Sequence, residues 1–357
     1  MKKRINSVAG KALTLLLVAL LISAGAGCTR EKASDETTEV KIAPAKIRVS
    51  LQFGLGYAPL QIMKEKKLIE KYLPGIQVEW IQMGTGGLIR ESLIAGELDA
   101  GFMGIPPYLI AWDKGVDWKI ATALASSPQG LQTYRDDIKS LRDFKEHDKI
   151  AVPIPGSVQH ILLAMAAEKE LEDPKALDHN LVSMAHPDGT NALISERGIT
   201  AHFTSPPYIF EELTSANIKQ VIDAEEAFGG EHTFLVGVVT KEFHDKYPAA
   251  YAAFVAAVNE AIYYVNQNPR EAAKMLAPEF KMSEEKTYEY LTWPGTNFTS
   301  TPYGLMGFAE FMKMSGYISK MPTDYSEIAW ENVGAAIGNK AGGKSPVEEA
   351  QYRKTTK

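Results

Sequence analysis

The chain has 357 residues, 45% hydrophobic and 23% charged, which suffices for two ordinary globular domains with a sizeable core. Its 38 basic residues are outnumbered by 44 acidic ones, a balance that argues against a nucleic-acid partner, whose binding rests on neutralised phosphates. A single cysteine excludes an intramolecular disulfide.

At the N-terminus, "MKKRINSVAGK" is basic and is followed by an apolar run, Ala12 to Ile22. That run is too short to span a bilayer comfortably, which takes ~20 apolar residues. The small residues "SAGAGC" then lead to Cys28, so residues 1–27 read as a secretory signal with a cleavage site. The site resembles a bacterial lipobox, in which the cysteine after the cut is lipidated, although Gly25 stands where leucine is usual. Removing the signal takes away four basic residues and no acid, so the mature chain is more acidic still. Residues 28–45 are polar and aperiodic and read as a flexible tether, and 336–357 as a disordered tail. The protein is expected outside the cytoplasm, held at the cell membrane by a lipid on Cys28.

In the body, "KIRVSLQF" alternates, with Ile47, Val49, Leu51 and Phe53 on one side, and predicts a strand. A turn, "GLGYAP", leads to an amphipathic helix, "LQIMKEKKLIEKY". A second strand, "IQVEWIQM", ends in "GTGG", and the helix "LIRESLIAGE" stops at Gly96. "LDAGFM" is a third strand, with Pro107 opening the next helix, and "VDWKIATALA" a fourth. The scheme then restarts. "DKIAVPI", "NLVSMA", "ITAHF" and "IKQVIDA" are strands; "HILLAMAAEKEL", "NALISERG" and "YIFEEL" are helices; "PGSVQ", "HPDGT" and "TSPP" are turns. "TFLVGVVTKEF" begins a last strand, followed by helices over 248–267, 270–277 and 283–293. Such alternation predicts an α/β protein built on open, mostly parallel sheets with flanking helices.

Pro-Pro-Tyr occurs at 106–108 and again at 206–208, and Leu93-Ile94 is matched by Leu193-Ile194 at the same offset. Each Pro-Pro-Tyr follows a strand at the turn into a helix. Ligands of open α/β sheets bind outside the carboxyl ends of strands, so two lobes built alike would make a cleft between those ends.

With these stretches in view, "GYAPLQIMKEKKLIEKY", "LIAGELDAGFMGIPPYLIAWDKG", "DKIAVPIPGSVQHILL" and "AHFTSPPYIFEEL" resemble the substrate-binding proteins of nitrate, sulfonate and taurine ABC importers. Related members bind pyrimidine precursors of thiamine. In "RGITAHF", Ile199 and Thr200 replace the usual Asp-Ala. The resemblance spans about 46 to 335 and implies a two-lobed type II periplasmic-binding-protein fold with two crossover strands. It divides the body into 46–126 with 234–335 as lobe one and 127–233 as lobe two. It further implies a monomer that captures a small solute and delivers it to the transmembrane subunits of an ABC permease.

Candidate binding groups follow from the turns. Turns at 54–57, 84–87, 104–106, 155–158 and 204–206 lead into helices, whose N-terminal N–H groups favour accepting ligands. They bring forward Leu55 and Tyr57, Thr85 and Gly86, Gly104 and Ile105, Gly156 and Ser157, and Thr204 and Ser205. Ser126, Gln159, His160 and Trp293 complete the expected set. For Ser157, Thr204 and Ser205 the competing reading is helix capping, and for Trp293 it is core packing. Few arginines fall on these turns, which favours an aromatic or neutral heterocyclic solute over an anion. The seven histidines show no i, i+4 pair, so no metal is expected. No nucleophile motif appears and no cofactor is expected, which leaves a transport receptor or a ligand sensor ahead of an enzyme.

Overall fold

The computed structural model describes residues 44–333. The signal segment, Cys28 and the C-terminal tail lie outside them. Strand β1 (Lys46–Gln52) buries Ile47, Val49 and Leu51 on alternate positions. It pairs in parallel with β2 (Gln77–Met83) along its whole length, from Lys46–Gln77 to Gln52–Met83, and with β3 (Ala100–Gly104) at Val49–Ala100. The chain then forms β4 (Lys119–Ser126) and passes within three residues to β5 (Gly130–Thr133) of a second sheet.

That second sheet adds β6 (Ile150–Val152), β7 (Leu181–Ser183), β8 (Ala201–Thr204) and β9 (Lys219–Asp223). The chain returns to the first sheet as β10 (Leu235–Val239) and ends there with the short β11 (Asn297–Phe298). The first sheet has the order β11-β4-β10-β3-β1-β2 and the second β7-β6-β8-β5-β9. Apart from β11, one order maps onto the other: β2, β1, β3, β10 and β4 correspond to β7, β6, β8, β5 and β9. In each sheet one strand from a crossover, β10 or β5, is inserted against its neighbours, and the four remaining strands of this pattern run the same way. The result is two mixed sheets with flanking helices, an α/β architecture.

Local chemistry accounts for the helix starts. Thr85 caps Gly86–Ile94 by accepting the Leu88 N–H, and Ser157 caps Val158–Leu171 by accepting that of His160. The latter helix is buried from Val158 to Ala167, and Pro248–Gln267 packs Phe254 against Phe102 of β3 at 5.9 Å. Several expectations shift. The helix expected over 60–72 is two, Ala58–Glu65 and Leu68–Tyr72, because Lys67 adopts a left-handed conformation with φ 49°. "HPDGT" is the first turn of helix His186–Ile194 instead of a loop, since Pro187 is suited to a helix start. Helix Ile105–Asp113 likewise begins two residues before Pro107. The offset recurs in the preceding helices: Gly86–Ile94 and His186–Ile194 are the same length, one hundred residues apart.

Candidate functional site

The carboxyl ends of β1, β3, β6 and β8 meet. The two Pro-Pro-Tyr phrases follow the corresponding strands β3 and β8, but they do not pair with each other. The Leu55 N–H, in the turn after β1, donates to the carbonyl of Pro206 at 2.9 Å. Gly104, at the end of β3, packs against Val158, just past β6, and a Cβ on that glycine would overlap Val158 Cγ2. Under the correspondence of the sheets these are equivalent contacts: each phrase faces the turn after the first strand of the other sheet's parallel set.

Between these contacts lies a gap of about 20 Å³, room for roughly one water. Gln52, Phe53, Tyr57, Gly86, Gly104, Ser157, Gln159, His186 and Phe234 are among its walls. Gln52, Phe53 and Tyr57 also line an adjoining chamber of about 620 Å³, whose other walls include Gln61, Gln82, Tyr208, Phe280 and Met282. The chamber carries the carboxylates of Asp188, Glu211 and Glu279 and a single ammonium, Lys281. Gln61 Nε2 donates to Glu279 Oε1 at 3.1 Å, and Phe53 leaves 42% of its surface open. Burial raises the Tyr57 phenol far above its ordinary range, and burial together with Glu211 pushes Tyr208 up to about 12, so both remain neutral donors.

Behind the gap runs a buried polar chain. His186 Nδ1 lies 3.0 Å from Thr204 Oγ1 and 3.2 Å from His202 Nε2. His202 Nδ1 lies 2.6 Å from Glu212 Oε1, which also accepts from Thr190 Oγ1 at 2.8 Å. Neither His202 nor Glu212 is exposed. Removal from water disfavours both charges: Glu212 is pushed up to about 8, against the bond from Thr190, and His202 down to about 3. His186 is lowered by burial and then by His202. Burial thus favours a protonated carboxyl beside a neutral imidazole over a charged pair, and the chain fixes the His186 ring at the gap.

The structure sorts the expected residues. Tyr57, Gly86, Gly104, Ser157 and Gln159 do line the gap. The N–H groups of Leu55 and Gly156 do not point freely into it: Leu55 is bonded to Pro206, and Gly156 donates to His160 Nδ1 at 2.8 Å. His160 is correspondingly a structural residue, its Nε2 2.9 Å from Asp178 and its ring edge-on to Tyr317. Thr85 is engaged as a cap, and Ile105 is wholly buried in the core. Thr204 and Ser205 are buried, the first bonded to His186 and the second accepting the Ile209 N–H through its carbonyl. Ser126 and Trp293 line a separate cavity at the crossovers. Sequence reasoning missed Gln52, Phe53, His186 and Glu211. Gln52 ends β1 and Phe53 follows it, where the carboxyl-end rule applies; His186 was hidden in an apparent loop.

Known proteins share this architecture. The alkanesulfonate-binding protein SsuA of Xanthomonas axonopodis pv. citri, bound to MOPS, superposes with a TM-score of 0.69 at 16% identity, covering 81% of this chain and 99% of that one. The periplasmic nitrate-binding protein NrtA of Synechocystis PCC 6803 does so with a TM-score of 0.66 at 17% identity, covering 86% and 92%. At such identities the likeness is one of fold. In sequence, 128 residues are 29% identical to a protein of Escherichia coli (strain K12) named for binding aliphatic sulfonates, covering 35% of this chain. The chain spans 39% of that relative's length and 49% of a second curated relative's. Residues 41–277 match a single family description over well over half of the chain, and the protein belongs to the NMT1-like family.

Proposed function

We propose that this protein is an extracytoplasmic solute-binding protein of an ABC importer. It captures a small organic molecule between lobe one (46–126 with 234–335) and lobe two (127–233) and delivers it to the permease. The observation that carries this reading is the crosswise pairing of strand-end turns beside a 620 Å³ chamber, a volume within the ~300–1,000 Å³ of small-molecule sites. Segments of both lobes line the chamber, so a solute touching both favours the closed arrangement by its differential affinity. The relatives reported above are named for binding their solutes, and the cleft supplies hydrogen bonds and aromatic faces suited to holding.

The charge of the chamber selects among solute classes. Three carboxylates against one ammonium oppose a sulfonate or nitrate, and Phe53, Tyr57, Tyr208 and Phe280 offer aromatic surface. A neutral or cationic heterocycle fits best, with the glutamines as amide partners. Cys28, outside the described residues, would anchor the monomeric receptor to the membrane through a lipid.

Native mass spectrometry of freshly purified protein, followed by thermal-shift screening, tests the reading. Heterocycles should raise the melting temperature, with a stabilisation of about 2.7 kcal/mol at a hundredfold excess over Kd. Scattering should show a smaller radius of gyration on binding. Shifts confined to sulfonates or nitrate overturn the charge argument; no shift with any class, and superposable scattering curves, overturn solute capture itself.

A further inference from the structure

The buried chain behind the gap couples its two ends. Glu212 Oε1 meets His202 Nδ1 at 2.6 Å, and the other nitrogen of that ring, Nε2, meets His186 Nδ1 at 3.2 Å. A neutral imidazole has one N–H and one bare nitrogen, so what one side of each ring does fixes the other side. Gly189 makes room for the middle ring: a Cβ there would come within 2.6 Å of His202 Nε2. His186 is the end that reaches the cleft. Its ring lines the gap, and its Nε2 is bonded to nothing among the described residues. That nitrogen is not one of the side-chain atoms sealed from solvent without a partner, so it is open to the gap.

Two arrangements of protons satisfy both links. With Glu212 protonated, its O–H donates to His202 Nδ1, the His202 Nε2–H donates to His186 Nδ1, and the His186 Nε2–H faces the gap as a donor. With Glu212 ionised, it accepts from the His202 Nδ1–H, His202 Nε2 accepts from the His186 Nδ1–H, and His186 Nε2 is a bare acceptor. Passing from the first to the second moves one proton along each link, away from Glu212, and releases a third from His186 Nε2 to water. Both rings stay neutral throughout. Thr204 follows either sense, because its hydroxyl both donates and accepts, and Thr190 donates to Glu212 Oε1 in both.

We propose that Glu212 sets the hydrogen-bonding sense of the cleft through the two rings: His186 Nε2 offers a solute a donor while Glu212 is protonated and an acceptor once it is ionised. Glu212 and His202 have no exposed surface, and the relay gives their protons a route to water. Burial pushes Glu212 up to about 8 and both histidines down, so the carboxyl is the group that titrates. Strands β5 and β6, on either side of β8, bring no titratable residue. Helix His186–Ile194 adds Asp188, and Tyr208–Leu213 adds Glu211 and Tyr208, the last stacked on His186 at 5.7 Å. Tyr57 is another wall of the gap, and Glu279 and Lys281 stand in the chamber.

The consequence for a solute rests on capture in the cleft, whereas the switch does not, so its test uses no solute. Proton–nitrogen correlation spectra of the solute-free mature chain, with isotopically labelled and assigned histidines, distinguish the two neutral tautomers. From about pH 5 to about pH 10, on either side of the folded Glu212 value of about 8, both His186 and His202 should pass from Nε2–H to Nδ1–H with one shared midpoint. In Glu212→Gln each ring should keep a single tautomer over that range, although Asp188, Glu211, Glu279 and Lys281 are all still present. A wild-type His186 whose tautomer is constant with pH overturns the proposal, whether or not the variant folds. So do separate midpoints for the two rings, or a change that persists in folded Glu212→Gln. A shared tautomer change in a protein that binds no solute of any class overturns capture and leaves the switch.

Discussion

Gly104 and Val158 meet across the cleft so closely that no Cβ fits between them. The glycine's φ of −68° is open to any residue, so room and not backbone freedom requires it. The matching contact, Leu55 N–H to Pro206 carbonyl, is a backbone bond that no side chain mediates. Together they set how near the strand-end turns approach.

Gly104→Ala should therefore hinder closure. Overpacking of this kind costs about 1–3 kcal/mol, or about tenfold or more in solute affinity. If the lobes of the unliganded protein part, the methyl no longer meets Val158, and the melting temperature without solute should change little. Val158→Ala should restore affinity in the double variant. Calorimetry on the four proteins decides it: no rescue, with the single variant unfolded, would make the contact ordinary core packing.

Thr204→Val should lower stability rather than affinity alone. The residue has no exposed surface, and its hydroxyl is 3.0 Å from His186 Nδ1. Losing that bond costs about 1–3 kcal/mol, and a melting temperature falls by about 2–4 °C per kcal/mol in domains of 150–250 residues. Thr204→Ser should melt close to wild type. Equal melting of wild type and the valine variant would remove Thr204 from the buried chain.

Stability should carry a pH signature from Glu212. Its folded pKa, about 8, lies above the ordinary value of 4.5, so the fold favours the protonated carboxyl. That contribution is complete below about 4.5 and is lost as pH rises through about 8. Glu212→Gln keeps a neutral, hydrogen-bonding group at the site and should lose less stability over this window. Denaturant midpoints of both proteins across the window measure it. A wild type that gained on the variant with rising pH would show a charged pair instead. Below the ordinary histidine value of 6.5 the sign reverses for His202, whose depressed pKa of about 3 removes stability as pH falls.

Cys28→Ala should leave a chain that no longer partitions with membranes yet binds solute as before, since the residue precedes the body by a polar stretch. Fractionation and a binding assay on the same preparation check both halves. Retention of the processed variant in the membrane would rule out anchoring through this cysteine.

The sequence by itself determined the local grammar. Alternation of Ile47, Val49 and Leu51 marked β1, the apolar run 234–239 marked β10, and Ser157 and Thr85 marked helix starts. The phrase shared by 106–108 and 206–208 located equivalent turns in two sheets, because each turn repeats the same strand-to-helix chemistry. Those features are legible since periodicity, caps and turn residues act within a few positions along the chain. Only the tertiary structure decided what faces what. The strand β5 is four residues long with nothing in its composition to announce it, and its place between β8 and β9 comes from pairing with residues some seventy to ninety positions away. His160 and His186 look alike in sequence as polar residues near helix starts. Asp178 and Gly156 engage one as a brace, while His202 and Thr204 hold the other at the cleft. Burial and partners separate them, and both are set by elements brought together from distant parts of the chain, which no local pattern encodes.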